Sequence, residues 1–438
     1  MLLPIVGYIM IFCIILLLFK GKMSPVVVLI LIPFLAALCL GYSPMAVSDF
    51  IRKGIGTTMN TAILLFFSVI FFSIMSEVGV FDLIVEGLVK KAGASIVAIT
   101  GVTALVAIIA HLDGATATTV LITIPAMWPI YQRLGIRPHV LLCITSAAMG
   151  FMNLVPWGGP TARVATILKM DATVLWHMLI PIQVVAAVLT VLLAVALGIA
   201  EQRRIAAAGG SAKLAQTPGV AASQATKEVN PRHKKMLLVN SLLTLLVILI
   251  LVFNLMPHAH IVFMLAVCLA LVINYRTLKE QDTSIKTHAP AAFIIGAVII
   301  AAGAMVGVLD ATGMLKAMTQ VLLGFIPNAL GGVIHLIFGV LALPLGLVVG
   351  TDAYFFGIYP LVAGVGEQYG VSALNTGLAM IIGKNVGLMI SPLVPATWLA
   401  LGLVDMELKD HVKFSFPWLF GLSLIMLAAG VLLGTIKV

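Results

Sequence analysis

Four ionisable side chains, Asp113, Arg163, Asp352 and Lys384, stand inside long apolar stretches of this sequence. A charge at the centre of a bilayer costs about 2.5 to 3.5 kcal/mol even on the gentler insertion scale, so each needs a partner, a water-filled cavity or a function. Two acids and two bases could together hold an anion, a cation or a proton. They fall into two groups of similar plan. In the first, a polar tip Asp113-Gly114-Ala115-Thr116 is followed by the stretch Asn153-Leu154-Val155-Pro156-Trp157-Gly158-Gly159-Pro160-Thr161-Ala162-Arg163. Two prolines and two adjacent glycines there cannot continue a helix and free backbone amides and carbonyls. Freed N–H groups at a half-helix start attract anions, and freed carbonyls suit cations. Thr116, Thr119 and Thr123 share one face of the helix leaving the tip.

The second group has the tip Gly350-Thr351-Asp352-Ala353-Tyr354 and a break running from Lys384-Asn385-Val386-Gly387 to Ser391-Pro392-Leu393-Val394-Pro395-Ala396-Thr397. Plainer readings stand beside the functional ones. Asp113 could simply cap the returning helix. The threonines could back-bond to carbonyls four residues earlier. Arg163 could snorkel outward, and Lys384 with Asp352 could form a purely structural ion pair. His111 and His335 could relay protons or merely hydrogen-bond a neighbour. Asp310 and Glu367 read as solvated charges near the outer surface.

The elements that must position these groups are membrane helices. Of 438 residues, 62% are hydrophobic and only 9% charged, and apolar runs of spanning length recur from end to end, which implies an all-α polytopic membrane protein. Ten spans are expected, at 2–19, 25–42, 60–78, 138–168, 174–200, 236–254, 259–275, 290–309, 371–404 and 414–436. Two further stretches, 96–131 and 328–366, each broken by polar residues, read as re-entrant helical hairpins. The first run lacks a basic n-region and a cleavage site, so a retained span is expected rather than a signal peptide. The four cysteines lie in apolar segments without metal-ligand spacing. There is no soluble basic domain to carry nucleic acid binding. HExxH, nucleophile-elbow and complete phosphate-loop motifs are missing, so neither an enzyme nor an ATP-driven pump is expected.

A shift of 235 residues superposes Thr116 on Thr351, Pro125 on Pro360, Gly135 on Gly370 and Pro160 on Pro395. The chain thus reads as two copies of one unit: 1–200, with hairpin 96–131 and broken span 138–168, and 236–438, with hairpin 328–366 and broken span 371–404. A hydrophilic linker, 201–235, separates them. Five spans and one hairpin per copy invert the second relative to the first, the plan of secondary transporters. Lys384 falls opposite Met149, so its charge is not inherited from the repeat. With the linker in the cytoplasm, 18 of the 25 lysines and arginines face that side and five the other, which places both termini outside.

At "LDGATATT", "SAAMGFMNLVPWGGPTARV", "TDAYFFGIYP" and "SPLVPATWLALGL" the sequence resembles the citrate-metal:proton symporters of the ion transporter superfamily, over nearly its whole length. The resemblance implies citrate uptake, typically as a complex with a divalent metal and together with protons. It also implies scaffold and transport domains, dimerisation through the scaffold and an elevator mode of action. Asp113, Gly114, Thr116, Thr119, Asn153, Trp157, Gly158, Gly159, Thr161, Arg163, Thr351, Asp352, Lys384, Asn385, Ser391 and Thr397 are the expected substrate-binding residues. Asp113 and Asp352 are the expected ion-coupling groups. Two departures bear on the cargo: Ala115 stands where metal-citrate members carry a second acid, and Lys384-Asn385 where they carry Gln-Pro. One acid fewer and one base more disfavour a divalent cation and favour a free polycarboxylate. The expected function is proton-coupled import of citrate or a related di- or tricarboxylate across a bacterial inner membrane. No resident cofactor is expected; a divalent cation, Mg or Ca, could travel with the substrate. The competing expectation is a metal-citrate or sodium-coupled carboxylate symporter. An intramembrane enzyme and an anion channel are the readings from other classes.

Overall fold

The computed structural model describes residues 2–20, 22–91, 93, 95–207, 231–256 and 258–438, and among these it contains helices and no strands. The first half comprises α1 (Leu2–Lys20), α2 (Pro25–Cys39), α3 (Pro44–Glu77), α4 (Val80–Lys91), α5 (Ile96–Ala110), α6 (Thr116–Leu134), α7 (Pro138–Met152), α8 (Gly159–Leu168) and α9 (Ala172–Ala207). The second comprises α10 (Pro231–Val252), α11 (Ala259–Asn274), α12 (Leu278–Thr312), α13 (Met314–Leu323), α14 (Asn328–Gly331), α15 (Ile334–Val349), α16 (Tyr359–Gln368), α17 (Ala373–Lys384), α18 (Pro395–Val404) and α19 (Leu408–Leu432). A π-helical turn, Ala353–Ile358, precedes α16, and a 3₁₀ segment, Asn385–Ile390, follows α17. Helix starts recur between the halves: Pro25 and Ala259, Pro44 and Leu278, Val80 and Met314, Pro138 and Ala373, each pair 234 or 235 positions apart. Of the expected linker 201–235, residues 201–207 continue α9 and 231–235 open α10; 208–230, with Lys213 and Lys227, lie outside the described residues.

Local chemistry explains the boundaries. Proline in the first turn opens α2, α3 and α7, where its missing N–H is no loss. Ser43 accepts from Ala46 N to cap α3, and Thr277 with Glu280 forms a capping box on α12. These caps start α3 at Pro44 and α12 at Leu278, a dozen or more residues before the apolar runs expected at 60 and 290. Hydropathy sees only the apolar part of a helix whose polar first turns project beyond it. Gly313, at φ +70°, ends α12 and lets the chain turn into α13. Helices α4 and α13 carry polar residues along one side and escape a search for apolar runs.

Among the described residues, six helical stretches are long and apolar enough to cross a membrane: Pro44–Glu77, Ala172–Ala207, Lys235–Val252, Leu278–Thr312, the interrupted Ala373–Val404 and Leu408–Leu432. The chain is a multi-pass membrane protein. Helices α2, α7 and α11, with 15 or 16 residues, reach only about 23 Å at 1.5 Å per residue, short of a hydrocarbon core of about 30 Å. Expected spans 25–42 and 259–275 correspond to α2 and α11, and the expected broken span 138–168 to α7, the break and α8 together.

The helices sort into two groups by their packing. In one, α3 runs along α12 with α2 and α11 beside it, α1 lies on α2 and α13, and α10 lies on α11. Close approach of α3 and α12 depends on glycine: a Cβ on Gly54 would sit 2.1 Å from the Gly303 carbonyl oxygen. In the other group α5 packs on α7 and α9, α15 and α16 on α17, α18 on α6, and α19 on α7 and α17. The groups meet where α8 lies on α12 and α3, and where α1 touches the π turn. An ion pair between Lys169 and Asp310 joins the end of α8 to α12. Asp310, expected as a merely solvated charge, is therefore paired, although 41% of its side chain stays exposed.

Candidate functional site

Helix–turn–helix pairs occupy both stretches expected as hairpins: α5 turns into α6 through a non-helical tip, and α15 turns at Gly350 into a short helical and π-helical run before α16. At the first, α5 ends at Ala110, and His111 to Ala115 turn the chain through Gly114 at φ +70°. Asp113 Oδ1 accepts the Ala115 N–H at 2.8 Å, an Asx turn that shapes the tip. The helix cap itself is Ala115, so Asp113 supports the turn rather than capping α6 as the plain reading had it. Trp157 lies across the tip: its Nε1 donates to the Leu112 carbonyl at 2.8 Å, and a Cβ on Gly114 would meet its ring at 3.3 Å. The indole sits among Phe72 of α3, Phe263 of α11 and Trp176 of α9, with ring centroids 5.1, 5.2 and 6.3 Å away. It thereby anchors the break between α7 and α8 on the α3–α12 group.

The break runs from Asn153 to Gly158. A Cβ on Gly158 would lie 2.1 Å from the Asn153 carbonyl oxygen, so only glycine permits this fold-back. Thr161 Oγ1 donates to the carbonyls of Asn153 (3.3 Å) and Leu154 (3.0 Å), and these freed oxygens are already engaged. Of the threonine face, Thr119 back-bonds to the Ala115 carbonyl at 3.0 Å, whereas the buried Thr123 hydroxyl has no partner. Thr116 opens α6, half-buried.

Arg163 leaves the first half altogether. Its Nε and Nη2 each lie 2.6 Å from Asp352 Oδ1 at the second tip, and its guanidinium stands 5.9 Å from the Phe356 ring centre. Neither the outward snorkelling of Arg163 nor the Lys384–Asp352 pair is what the structure forms. Gly159 makes room for the arginine, since a Cβ there would come within 2.6 Å of Nη1. Lys384, 4% exposed, instead donates from Nζ to Thr351 Oγ1 at 3.0 Å. Its stem crosses Gly346, and Nζ faces the rings of Phe355 and Tyr354 at 5.6 and 5.8 Å. Among the described residues, no carboxylate lies within ion-pair reach of Lys384.

Next to Lys384, Asn385 is 1% exposed and neither its Oδ1 nor its Nδ2 has a partner. Buried amides are almost always hydrogen-bonded, which singles this one out as a candidate ligand contact. Ser391 Oγ donates to the Leu347 carbonyl at 3.2 Å, tying the second break to its hairpin, and the buried Thr397 hydroxyl is unpartnered. An open cavity of about 400 Å³ reaches Thr351 and Asp352 between the second tip and the α1–α2 turn, with Lys22 and Ser24 on its far side.

This arrangement, two hairpin tips set against two broken helices with cross-paired charges, can be compared with known proteins. The profile of a family described as citrate transporter matches residues 14–383. The chain belongs to the citrate transporter family. Members of that family are transporters, not enzymes. A citrate transporter of Bacillus subtilis (strain 168) is 33% identical over 436 residues, 99% of this chain and 100% of the relative. A Mg(2+)/citrate complex secondary transporter of the same organism is 34% identical over 436 residues, 100% of this chain and 99% of the relative. The crystal structure of the Alcanivorax borkumensis YdaH transporter superposes with a TM-score of 0.62, covering 87% of each chain at 16% identity, a likeness of fold.

Within this citrate transporter family member, sequence reasoning missed the braces of the second break. Ser146 on α7 donates to the Val386 carbonyl at 3.0 Å and accepts from Met389 N at 3.3 Å. A Cβ on Gly150 would stand 2.2 Å from Val386 Cα. Both residues lie in the "SAAMG" stretch, and a small residue every four positions was the available signal. His335 bonds the Lys437 carbonyl at 3.0 Å, the plain reading for that histidine.

Proposed function

We propose that the protein is a secondary transporter that imports citrate, or a related di- or tricarboxylate, together with protons. One observation carries the reading: Arg163 and Lys384 converge on the second tip, where, among the described residues, Asp352 is the one carboxylate in ion-pair contact with either of them. Two cations and one anion leave a net positive charge for a polyanion, and the unpartnered Asn385 amide adds a donor and an acceptor beside it. A substrate carboxylate would compete for Arg163, and Asp352, released from its partner, would take up a proton. Loading would then bring the site close to neutrality before it crosses the bilayer. Asp113 would take up a proton at the first tip, while the N–H groups of Gly159 and Thr161 at the start of α8 and of Ala396 at the start of α18 would face carboxylates.

The two halves act, on this reading, as inverted repeats. The α3–α12 group forms the scaffold and dimer interface. The group holding both tips moves as an elevator, and both termini lie outside the bacterial inner membrane. Likeness in name to a Mg(2+)/citrate transporter favours a second reading, in which Mg or Ca travels as cargo with citrate. Sodium coupling is the other alternative. Citrate flux into liposomes, measured against pH, sodium and Mg or Ca one at a time, tests all three. Uptake that follows the proton gradient and ignores the metals supports the proposal, and uptake that requires a divalent cation or sodium overturns it.

A further inference from the structure

The cavity of about 400 Å³ at the second tip has walls from both helix groups. Thr351, Asp352 and Leu393 line it from the group that carries the tips, and Lys22, Ser24 and Pro25 line it from the turn between α1 and α2. Of the described residues around it, Lys22 and Asp352 are the charged ones. They do not pair. Asp352 is held on Oδ1 by Arg163, and among the described residues Lys22 has no ion-pair partner. Two opposite charges thus stand on opposite walls of a space whose size falls in the range of about 300 to 1,000 Å³ usual for small-molecule sites. Ser24 makes no side-chain cap bond to α2, and Pro25 opens that helix, so the positive end of the α2 dipole borders the same cavity. The two walls belong to bodies in close contact: a Cβ on Gly357, in the π turn beyond the tip, would stand 2.7 Å from Ile15 Cγ1 of α1.

We propose that Lys22 is a carboxylate contact on the stationary wall of this cavity, met by cargo only while the second tip lies beside the α1–α2 turn. The inference rests on the carboxylate transport, the moving tip group and the orientation proposed above. With both termini outside, α1 ends and α2 begins at the cytoplasmic face, and the cavity is the cytoplasmic mouth of the site. Arg163, Lys384 and Thr351 travel with the moving group and serve the cargo alike on both faces. Lys22 does not travel, because α1 and α2 pack on the other group, against α13 and α12. A polycarboxylate leaving Arg163 can pass one carboxylate to Lys22 and Ser24 while another stays on the tip. One entering from the cytoplasm meets Lys22 first. Lysine suits such a passing contact, since its ammonium is a compact point charge on a flexible stem and needs no fixed two-pronged geometry. The consequence is an affinity that differs between the two faces of the membrane, set by one residue outside the tips and the breaks.

Citrate uptake by the full chain in right-side-out and in everted membrane vesicles tests this. Everted vesicles present the cytoplasmic face to the medium. There Lys22→Gln should raise the KM for citrate by about three- to tenfold at low ionic strength, with the maximal rate within about twofold, and 0.5 M salt should shrink the difference. In right-side-out vesicles the KM of the same variant should stay within about twofold of the wild type. Lys22→Arg should keep most of the wild-type affinity at the cytoplasmic face. Lys20→Gln, which removes a neighbouring lysine that does not line the cavity, should change neither face. A shift at both faces, at the outer face alone or at neither overturns the proposal, as does an equal loss in Lys20→Gln, which would mean that surface charge alone is at work. Wild-type vesicles that take up no citrate from either face would defeat the carboxylate reading and this inference with it, whereas an active wild type matched by Lys22→Gln defeats the inference alone.

Discussion

Arg163 and Asp352, 189 residues apart, share one carboxylate oxygen: both Nε and Nη2 of the arginine lie 2.6 Å from Oδ1. The bond closes the first half's break onto the second half's tip, so one charge pair reports on both. Their side chains are 15% and 23% exposed, and removing one partner strands the other in a poorly solvated place, at about 3–5 kcal/mol for a buried pair. Arg163→Gln should therefore lower thermal stability and abolish uptake. Asp352→Asn should lower stability too, but by freeing the guanidinium it should tighten citrate binding while uncoupling uptake from the proton gradient. The double variant Arg163→Gln/Asp352→Asn should recover stability without recovering transport. Thermal unfolding in detergent and isothermal binding of citrate check all three.

Lys384 is buried with a hydroxyl and two rings for company and, among the described residues, no acid in ion-pair contact, an arrangement that makes sense if its counter-charge arrives with the substrate. Lys384→Gln should raise the KM for free citrate by about 10- to 100-fold, the equivalent of about 1.4 to 2.8 kcal/mol. The loss should shrink when Mg is added, since a metal–citrate complex no longer needs the ammonium. Uptake assayed with and without Mg separates these outcomes, and an unchanged KM for free citrate removes Lys384 from the substrate site.

Much of this was legible in the sequence, and what was not has physical causes. Hairpins and breaks announce themselves because proline, glycine and charge are costly in a membrane helix, which is why Asp113, Trp157, Arg163, Asp352 and Lys384 stood out. Pairing did not: Arg163 meets Asp352 rather than solvent, and Lys384 meets Thr351, because sequence spacing says nothing about contacts between halves. The polar first turns of α3 and α12 and the amphipathic α4 and α13 carry too little apolar surface to register as spans. Ser146 and Gly150, which brace the second break, are too ordinary in type to single out without knowing that α7 lies against it.

Asn385 offers a test of preorganisation. An amide kept buried without partners costs stability, about 1–3 kcal/mol for an unsatisfied group, and a ligand recovers that cost on binding. Asn385→Leu, which replaces the amide by two methyl groups in the same branched shape, should raise the melting temperature of the substrate-free protein and weaken citrate binding. It should also abolish most of the thermal shift that citrate gives the wild type. A melting temperature that falls in the variant would show that the amide is already satisfied, and the substrate contact would then have to be withdrawn.

Glu201 lies just beyond the apolar run 174–200, with its side chain 0% exposed, and it joins α9 to the start of α7. Arg137 Nε donates to its Oε1 at 2.8 Å and Arg204 Nε to its Oε2 at 3.0 Å, while Arg204 Nη2 also reaches the Gly135 carbonyl at 2.6 Å. Burial alone would push this carboxyl up, but the hydrogen bonds from Arg204 and Arg137 outweigh it and hold Glu201 below its usual range. A lowered folded-state value means stability that is fully present above the unfolded carboxyl pKa, about 4.3, and is lost as pH falls through the folded one. The wild type should therefore lose thermal stability between about pH 4.5 and the onset of acid unfolding, more steeply than Glu201→Gln. That variant should start lower at neutral pH, because two arginines lose their counter-charge, and the two curves should converge as the solution becomes acidic. Arg137 and Arg204 are 42% and 39% exposed, so solvent screening moderates the gap, and 0.5 M salt should narrow it further at neutral pH. Parallel melting curves across the whole range would mean that Glu201 gains nothing from its arginines.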